Sequence, residues 1–306
     1  MGTSFSVFIP TFNAAGLVAQ AVDSVLAQTA RPLEILVIDD GSTDSTGEAL
    51  KRYGGRIRCL RQENRGVYAA RNRGIRESRG QYVAFLDADD LWEPQKLARQ
   101  LEILDAQPRF PVVHTDAALI DAGGRLLKAA ANPCRQSVNG LVFEEFFRSD
   151  MAVVLLSTVV IRRDCFDKTG LFDERHRSVV DHVFFLRLAW HFPIYFIPEP
   201  LVRYRVTPGS LSRKNVGRNL MIREELLREF IAEHAEYFGA RLDLVRGKWR
   251  SFHLDAARQL WNAGQYAAAH RHFGLVRSVS PKAFACWCLT LLPEPLLRRR
   301  KPAAPG

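Results

Sequence analysis

Two clusters of aspartates follow apolar runs in the first hundred residues. The run EILVI leads into DDGSTD, which begins at Asp39, and the run YVAFL leads into DADD, which begins at Asp87. Crowded carboxylates repel one another unless a cation or hydrogen-bond donors offset their charge. Carboxylates hold a phosphate through Mg²⁺ or Mn²⁺, hard cations that prefer oxygen ligands. The pattern therefore indicates a metal-bound diphosphate, and the alternative for either cluster alone is a set of loop-capping aspartates.

A nucleoside diphosphate is the ligand that suits these carboxylates. The chain has neither the G-x-G-x-x-G of dinucleotide-binding folds nor the GxxxxGK[ST] of P-loop phosphotransferases. Arg65, Arg71 and Arg73 lie on and before a candidate helix and are placed to supply positive charge to the diphosphate. The chain has no HExxH motif, and its five cysteines include no CxxC pair, which predicts free thiols in a reducing cytoplasm.

Strand and helix patterns alternate through the first 116 residues. Because the strands are continuous apolar runs, they predict a parallel sheet with helices on both faces. The fold class is therefore α/β with a Rossmann-like, mostly parallel sheet, and both acidic clusters belong to the edge where such sheets bind ligands. The candidate strands are Ser4–Ile9, Glu34–Ile38, Ile57–Arg61, Tyr82–Leu86 and Val112–Asp116. The candidate helices are Leu17–Gln28, one opening at Ser45 with the spacing of a capping box, Tyr68–Ser78 and Pro94–Gln107.

The pattern changes after Asp116. From Asn215 onward the sequence is helical, and a single helical hairpin over His253–Ser280 predicts a C-terminal appendage rather than a solenoid. The elements predicted in between are a hairpin over Ala117–Leu127 that turns at Gly123-Gly124, a helix over Val138–Phe147, a buried strand over Met151–Ile161, an amphipathic helix over Asp181–His191, and short strands at Ile194–Ile197 and Val202–Val206.

The positive charge of the chain is concentrated at its C-terminal end. Of 306 residues, 43 are Lys or Arg and 33 are Asp or Glu, and residues 211–306 alone hold 17 and 8 of these. The basic segment lacks the interleaved aromatic pattern of nucleic-acid binders, so no nucleic-acid partner is expected. No apolar stretch reaches the ~18 residues needed to cross a bilayer. Residues 1–22 carry no charge and so lack the basic start of a secretory signal.

Five ordered motifs between Ser6 and Leu97 resemble the family-two glycosyltransferases, which have the GT-A fold. They are SVFIPTFN, SVLAQT, EILVIDDGSTDST, ENRGVYAARNRGI and GQYVAFLDADDLWEPQKL. The resemblance resumes at STVVIRRDCFDKTGLFDE, VDHVFFLRLAW and VRYRVTPGSLS, and it covers roughly residues 5–213. It implies inverting transfer of a sugar from a nucleotide-diphosphate sugar, with UDP as the expected nucleotide, to an acceptor hydroxyl.

The resemblance also assigns donor-binding roles to motif positions. Asp40 matches the carboxylate that accepts a hydrogen bond from the imide nitrogen of uracil, and Arg71 matches an arginine that reaches the nucleotide. Asp87 matches the residue that faces the ribose and the donor sugar. We expect Asp40→Ala to weaken uridine nucleotides and hardly to change stability, because Asp40 lies at a strand end outside the core. The full expected donor-binding set is Pro10, Thr11, Asn13, Asp39, Asp40, Arg71 and Asp87.

Two further aspartates match the metal ligand and the catalytic base of the family. Asp89 is expected to bind the Mg²⁺ or Mn²⁺ that bridges the diphosphate. Asp181 is expected to take the proton from the acceptor hydroxyl as its oxygen attacks the anomeric carbon, while the metal stabilises the departing diphosphate. A single displacement of this kind inverts the anomeric configuration. The alternative for Asp181 is an N-cap of the helix that follows, and the two roles are compatible.

Three positions depart from the family pattern. Val180 stands where the family has Glu before the base, Val183 replaces another common acid, and Thr207 stands where relatives carry His. These departures leave open a non-catalytic relative that still binds nucleotide sugar. Trp92, just after the metal motif, is expected to pack in the core, and the alternative is that it stacks on a sugar.

We expect the chain to divide into a GT-A domain at 1–213 and a helical C-terminal region at 214–306. Residues 1–116 are the expected donor-binding half and residues 117–213 the acceptor half. The expected partners are a nucleotide-sugar donor and a sugar or lipid-linked saccharide acceptor, as in cell-surface polysaccharide or glycolipid synthesis.

The composition of a C-terminal segment predicts contact with a membrane. Residues 283–301 join an apolar stretch to a basic cluster, which favours peripheral binding to an anionic membrane, and the alternative is that the stretch is ordinary core. The expected location is the cytoplasm, at the inner face of the cytoplasmic membrane if that contact forms.

Overall fold

Four parallel strands form the first half of a sheet. They are β1 (Phe5–Thr11), β2 (Glu34–Asp39), β3 (Arg58–Arg61) and β4 (Tyr82–Phe85), connected by the helices α1 (Ala15–Leu26), α2 (Thr46–Lys51) and α3 (Val67–Glu77). The computed structural model describes residues 4–131, 139–148, 154–207, 215–279 and 288. The strand order is β3-β2-β1-β4, so the chain moves outward from β1 and then returns to its other side. Open α/β sheets bind ligands at such a reversal of strand order.

Five further strands extend the sheet beyond β4. They are β5 (Leu91–Trp92), β6 (Val112–Ile120), β7 (Leu126–Lys128), β8 (Val159–Arg162) and β9 (Ile194–Arg205). The order continues through β8, β6 and β9 to β5, and β7 pairs with β6 as the hairpin that the glycine pair predicted. β8 runs antiparallel to both β4 and β6, whereas β6 and β9 are parallel. The expected parallel layer is confirmed for β1 to β4, and the antiparallel strand inside the sheet was not expected.

The strand predicted over Met151–Ile161 is shorter in the structure. Its first three residues lie outside the described residues, Leu156–Thr158 is a 3₁₀ turn, and β8 follows that turn. The turn forms because Thr158 donates to the carbonyl of Leu155 from its N–H, at 2.9 Å, and from its hydroxyl, at 2.6 Å. The apolar run therefore enters the sheet later than its hydrophobic pattern predicts.

Two more elements differ from the pattern. The helix predicted over Val138–Phe147 begins later, as α5 (Phe143–Arg148), because Gly140 forms a two-way backbone bridge with Ile194. Residue 138 lies outside the described residues. The two short strands predicted near residues 194 and 202 are one strand, β9, whose register with β6 shifts at Asp116.

The starts of two helices differ from the prediction, one in its capping contact and the other in its first residue. Ser45 makes no capping hydrogen bond with its side chain, so the expected capping box is absent. Instead the carboxylate of Asp44 accepts the N–H of Thr46 at 2.9 Å. Helix α4 (Lys96–Ala106) begins two residues after Pro94 rather than at it. The short α6 (Phe166–Thr169) is followed by α7 (Asp181–His191), whose bounds match the prediction.

The chain divides into two compact units, residues 1–143 with 152–208 and residues 144–151 with 209–306. The second unit confirms the expected helical region, with α8 (Val216–Glu233), α9 (Ala235–Gly239), α10 (Leu242–Asn262) and α11 (Tyr266–Val276). Helices α10 and α11 form the expected hairpin, whose turn contains Gly264 at a φ of 76°. No helix within the described ranges is long and apolar enough to span a bilayer. The assignment of donor and acceptor halves stays a prediction.

Candidate functional site

The carboxyl ends of β1, β2 and β4 bring the predicted donor residues to one edge of the sheet. Thr11 and Asp39 are register partners at the ends of β1 and β2. Asp87 follows β4, which lies on the other side of β1. The sheet topology therefore gathers residues from three separate segments of the chain, at the edge that the sequence predicted.

Arg71 on α3 connects this edge to the predicted catalytic base. Its Nη2 donates to Oδ1 of Asp87 at 2.7 Å, and its Nη1 donates to Oδ1 of Asp181 at 3.0 Å. The side chain is 7% exposed and lies over the rings of Tyr68 and Phe172. Burial lowers the pKa of Arg71, but the two carboxylates outweigh that effect and raise it overall. A charged, immobilised guanidinium thus holds both acids.

Close packing of α3 on the sheet places Arg71. At Gly74, one turn after Arg71, a Cβ atom would lie 2.5 Å from the ring of Phe8, so only glycine permits this approach. Asn72, next to Arg71 on α3, holds the backbone of Phe172. Its amide donates to the carbonyl of Phe172 at 2.8 Å and accepts the N–H of that residue at 2.9 Å. The segment that leads to α7 is thereby held against α3.

Asp181 is the first residue of α7, and the N-cap position belongs to Val180. The capping alternative is therefore wrong for Asp181. Burial raises the pKa of Asp181 and Asp87 adds to the rise, whereas Arg71 and a hydrogen bond with Tyr68 oppose it. Because 38% of the side chain is still accessible, a substrate hydroxyl is able to reach it. An accessible carboxylate with a raised pKa is suited to accept a proton.

Asp40 binds its own chain through both carboxylate oxygens. Oδ1 accepts from Nε2 of Gln62 at 2.7 Å and from the N–H of Arg65 at 3.0 Å, and Oδ2 accepts the N–H of Gly66 at 2.8 Å. The residue is 3% exposed. Asp40 is therefore buried rather than outside the core, and because two backbone N–H groups depend on it, we now expect its loss to lower stability.

Asp39 and Asn13 organise the loops around the sheet edge. Asp39 accepts the N–H of Ser42 at 2.9 Å and pairs with the partly exposed Arg61 at 3.3 Å. Asn13 adopts a left-handed backbone with a φ of 48°, and its Oδ1 accepts the N–H of Thr43 at 2.8 Å. The Asn13 contact holds the loop after β1 against the loop after β2, and the Asp39 contacts hold β2 to its own loop and to β3.

Thr11 carries a buried hydroxyl that has no partner among the described residues. Its Oγ1 makes no hydrogen bond within the described part of the chain, and the residue is 4% exposed. Pro10 precedes it in the buried strand β1, and Phe12 follows it with 48% of its surface exposed. An unpaired buried hydroxyl costs stability unless a ligand or water completes it. Thr11 therefore fits the donor-binding role expected of it.

The DADD segment holds three carboxylates in unlike surroundings. Asp87 is paired with Arg71, and Asp90 is 1% exposed, with each of its two carboxylate oxygens accepting a hydrogen bond. The side chain of Asp89 accepts no hydrogen bond from another residue among those described, so within the segment its carboxylate is the one left available. Burial raises the pKa of Asp89 to about 6, and the neighbouring charge of Asp87 contributes.

The carboxylates of Asp87 and Asp89 fit a divalent cation that takes its remaining ligands from phosphate and water. No cluster of three or more acidic, histidine or cysteine side chains able to hold a metal lies in the described ranges. A complete protein cage is therefore not formed there. Mg²⁺ usually binds through one or two carboxylates together with substrate phosphates, so the fit is with a substrate-bound ion.

Several residues at the site were not assigned from sequence. Ser157 and Arg205 contact the DADD segment, and Tyr68 accepts the N–H of Val180 at 3.0 Å. Ser157 and Arg205 both lie within the later motifs of the resemblance, which was the available signal. Trp92 is 4% exposed in the core cluster and donates to the carbonyl of Ser157 at 2.8 Å, so its core role is confirmed.

Two of the three residues that depart from the family pattern, Val180 and Val183, lie at the start of α7 and are buried. Val180 and Val183 are 2% and 3% exposed. Val179 adopts a φ of 58°, a strained value for a β-branched residue. This backbone turn precedes Asp181 directly and directs the N–H of Val180 to Tyr68. Thr207 ends a described range, since residue 208 lies beyond it.

Comparison with known proteins gives one consistent family. The profile described as Glycosyl transferase family 2 matches residues 6–136. An uncharacterized glycosyltransferase of Nostoc sp. is 34% identical over 267 residues, which cover 79% of each chain. An uncharacterized glycosyltransferase of Rickettsia prowazekii is 33% identical over 202 residues, which cover 66% of this chain and 63% of the relative. The chain thus spans less than two thirds of the Rickettsia protein.

The fold is also found among solved structures. S. aureus TarS 1-349 in complex with UDP-GlcNAc has a TM-score of 0.61 and 17% identity, and the match covers 94% of this chain and 89% of that one. At this identity the likeness concerns the fold alone. The GT-A fold that the sequence motifs implied is confirmed.

Proposed function

Because the chain belongs to glycosyl transferase family 2, we propose that it transfers a sugar from a nucleotide-diphosphate sugar to an acceptor hydroxyl. The observation that carries the proposal is the buried fork of Arg71, which holds Asp87 and Asp181 at the carboxyl edge of the sheet. The proposed donor-side acid, Asp87, and the proposed base, Asp181, are thereby both paired with the Arg71 guanidinium. A transferase needs both groups within reach of one anomeric carbon.

UDP is the proposed nucleotide. TarS, which shares the fold, was solved in complex with UDP-GlcNAc. In this chain, Thr11 offers an unpaired buried hydroxyl, and Asp40 lies at the end of the neighbouring strand with three of its acceptor sites in use. A carboxylate offers about four acceptor sites, which leaves one for the imide N–H of uracil.

Asp89, with Asp87 beside it, is the proposed holder of Mg²⁺ or Mn²⁺ at the diphosphate. Such an ion, when bound, neutralises charge that develops on the leaving diphosphate. Arg71 orients the carboxylate of Asp87 for this task, and Ser157 holds the backbone N–H of the same residue. The unbonded carboxylate of Asp89 and its raised pKa support the assignment, because a nearby cation relieves the repulsion from Asp87.

Asp181 is the proposed general base. It accepts the proton of the acceptor hydroxyl while that oxygen attacks the anomeric carbon, and the bond to the diphosphate breaks on the opposite face. This single displacement inverts the anomeric configuration. The raised pKa of Asp181 strengthens it as a base, and the hydrogen bond from Arg71 keeps it ionised until the acceptor arrives.

A second candidate is a non-catalytic relative that binds the nucleotide sugar without transferring it. The buried apolar side chain of Val180, at a position where relatives have an acid, favours this alternative. Asp181→Asn separates the two candidates, because it preserves shape and removes the base. A catalytic protein shows donor hydrolysis or transfer that is lost in Asp181→Asn with donor affinity retained. A non-catalytic relative shows neither reaction in the unaltered chain.

The acceptor and the cellular site are parts of the same proposal. We propose a sugar or lipid-linked saccharide acceptor, used in cell-surface polysaccharide or glycolipid synthesis at the inner face of the cytoplasmic membrane. The support is the apolar and basic composition of residues 283–301, most of which lie outside the described residues.

The donor class is tested by a thermal-shift screen of the unmodified chain against nucleotide sugars, with and without Mn²⁺. Stabilisation by UDP-sugars in Mn²⁺ is the expected result.

A further inference from the structure

Ser157 and Arg205, from two other parts of the first unit, both contact Asp90, the last residue of the DADD segment, and the motifs assigned a role to none of the three. We infer that Asp90, Ser157 and Arg205 form an anchor that positions Asp87 and Asp89 for the donor diphosphate, an inference that rests on the proposed function. These three residues are called the Asp90 anchor below. All three are positioning residues, because they act through the backbone and side chains of the segment rather than by touching substrate.

Asp90 is the buried centre of the anchor. Its Oδ1 accepts the N–H of Arg205 at 2.9 Å, and its Oδ2 accepts the hydroxyl of Ser157 at 2.6 Å. The residue is 1% exposed. A buried carboxylate with both oxygens occupied is poorly placed to ligate a metal, although its sequence position in DADD makes it look equivalent to Asp89. The structure thus separates the ligand from the anchor within one acidic cluster.

Ser157 connects the two ends of the segment. Besides donating to Asp90, its Oγ accepts the N–H of Asp87 at 3.0 Å. Ser157 itself is 1% exposed, and its carbonyl accepts Nε1 of the core residue Trp92 at 2.8 Å. One hydroxyl therefore fixes the distance between the first and last aspartates of the segment, and the core fixes that hydroxyl.

Arg205 holds the segment from the opposite side. Its Nε donates to the carbonyl of Asp89 at 2.8 Å, and its Nη1 donates to the carbonyl of Ala122 at 2.8 Å in the turn between β6 and β7. The residue is 4% exposed at the end of β9. The guanidinium thereby connects the DADD segment to a hairpin turn. Its Nε and Nη1 donate to backbone carbonyls, and its Nη2 donates to Oε1 of Gln20 at 3.3 Å, so none of its donors is used on a carboxylate side chain.

The consequence is a segment with fixed backbone and one free carboxylate. The N–H of Asp87 and the carbonyl of Asp89 are both held, while the Asp89 side chain keeps its oxygens available. Sites that must bind with defined geometry depend on supporting hydrogen bonds of this kind. Loss of the anchor should therefore weaken metal-dependent nucleotide binding more than it weakens the fold.

A buried serine at the other end of β1 provides a matched control for Ser157. Ser6 is fully buried, donates to a carboxylate oxygen of Glu34 at 2.6 Å, and accepts the N–H of Gly80 at 2.8 Å. Ser6→Ala and Ser157→Ala therefore remove the same kinds of hydrogen bond. Of the two serines, only Ser157 has hydrogen-bond partners in the DADD segment.

The test is calorimetric titration of the full chain with UDP, in Mn²⁺ and in chelator, together with melting temperatures. Ser157→Ala is expected to raise the Kd for UDP in Mn²⁺ about tenfold, the size of one or two lost hydrogen bonds. The same variant should leave the Kd in chelator nearly unchanged. Ser6→Ala is expected to lower the melting temperature similarly with no change in either Kd. Ser157→Thr, which keeps the hydroxyl, should restore most of the affinity.

A second pair of variants serves if Ser157→Ala does not fold. Arg205→Lys loses the fork of donors, whereas Arg203→Lys, two residues earlier on β9, alters an exposed pair with Glu93. Only Arg205→Lys should raise the Kd in Mn²⁺. Equal Kd values for the unmodified chain and the anchor variants would overturn the anchor alone. Failure of the unmodified chain to bind UDP in Mn²⁺ would overturn the proposed function and the anchor with it.

Discussion

Arg71 and Asp181, which lie 110 residues apart in the chain, are joined by a hydrogen bond of 3.0 Å. The arginine belongs to the third helix of the parallel layer, and the aspartate begins a helix in the later, mixed part of the unit. The second arm of the same guanidinium reaches Asp87 at 2.7 Å. The proposed base therefore has its position and charge set by a residue of the predicted donor half, so we expect one side chain to couple donor and acceptor chemistry.

The first prediction concerns that coupling. Arg71→Lys keeps a positive charge but cannot donate to both acids from one planar fork. We expect kcat to fall by about 10²-fold, because small displacements of reacting groups cost that much. The unfolding free energy should also fall by about 1–3 kcal/mol, because a buried charged group loses a partner.

Arg76→Lys is the matched control for this change. Arg76 lies on the same helix, its side chain is exposed, and its Nη2 lies 3.7 Å from Oε1 of Glu174. Steady-state kinetics and urea denaturation of both variants decide the question. Equal kcat values for Arg71→Lys and Arg76→Lys would contradict the role of the Arg71 guanidinium.

The second prediction concerns Asp40. Asp40→Ala should lower the unfolding free energy by about 1–3 kcal/mol, because the N–H groups of Arg65 and Gly66 lose their acceptor. It should also weaken the binding of UDP, if the remaining acceptor site of Asp40 receives the N–H of the uracil imide. Urea denaturation measures the first effect and calorimetry the second. Normal UDP affinity with reduced stability would leave Asp40 a purely structural residue and would make another nucleotide worth testing.

The third prediction concerns the metal. Asp89→Ala should reduce UDP affinity in Mn²⁺ to the value measured in chelator, since its carboxylate is the one left unbonded in the DADD segment. Asp167→Ala, which removes an exposed carboxylate on α6, should leave the metal dependence intact. Isothermal titration in both buffers makes the comparison. Equal UDP affinity of the unmodified chain in chelator and in Mn²⁺ would rule out the metal role.

Short-range features were predictable from the sequence, and contacts between distant segments were not. The strands of the parallel layer and the acids at their ends follow from apolar runs and local motifs. The bond between Ser157 and Asp90 joins residues 67 apart, and that between Arg205 and Asp90 joins residues 115 apart. No spacing rule indicates such pairs. The direction of β8 was likewise unpredictable, because an apolar run indicates a buried strand without indicating whether it is parallel.

The fourth prediction concerns the C-terminal segment. Residues 283–297 carry Glu294 as their single charge and are followed directly by Arg298, Arg299, Arg300 and Lys301. Each cation near anionic lipid contributes about 1 kcal/mol to binding, so attachment should weaken as salt rises. Co-sedimentation with phosphatidylglycerol vesicles across a salt series should show binding that a truncation at Pro281 abolishes, with UDP affinity retained. Absence of binding at low salt would favour a soluble acceptor and a core role for the segment.

The fifth prediction concerns the pH dependence of stability and rests on His114 in β6. The residue is 2% exposed, and its Nδ1 has no hydrogen-bond partner in the described part of the chain. Burial lowers the pKa of His114 to about 4. The unfolded chain takes up this proton near pH 6.5, so the unfolded state binds more protons between pH 6.5 and pH 4.

Stability from neutral His114 is therefore complete above pH 6.5 and is lost as the pH falls towards 4. The full loss is about 3 kcal/mol, at about 1.4 kcal/mol for each unit of difference. Urea denaturation at pH 7.5 and pH 5 measures most of it, and Asp89, whose pKa burial raises to about 6, titrates over the same range whether or not His114 is present. His114→Leu removes the titrating group, so its unfolding free energy should fall less between these pH values than that of the unmodified chain. Parallel losses in the two proteins would show that His114 is protonated in the fold without cost, contrary to its burial against Phe196.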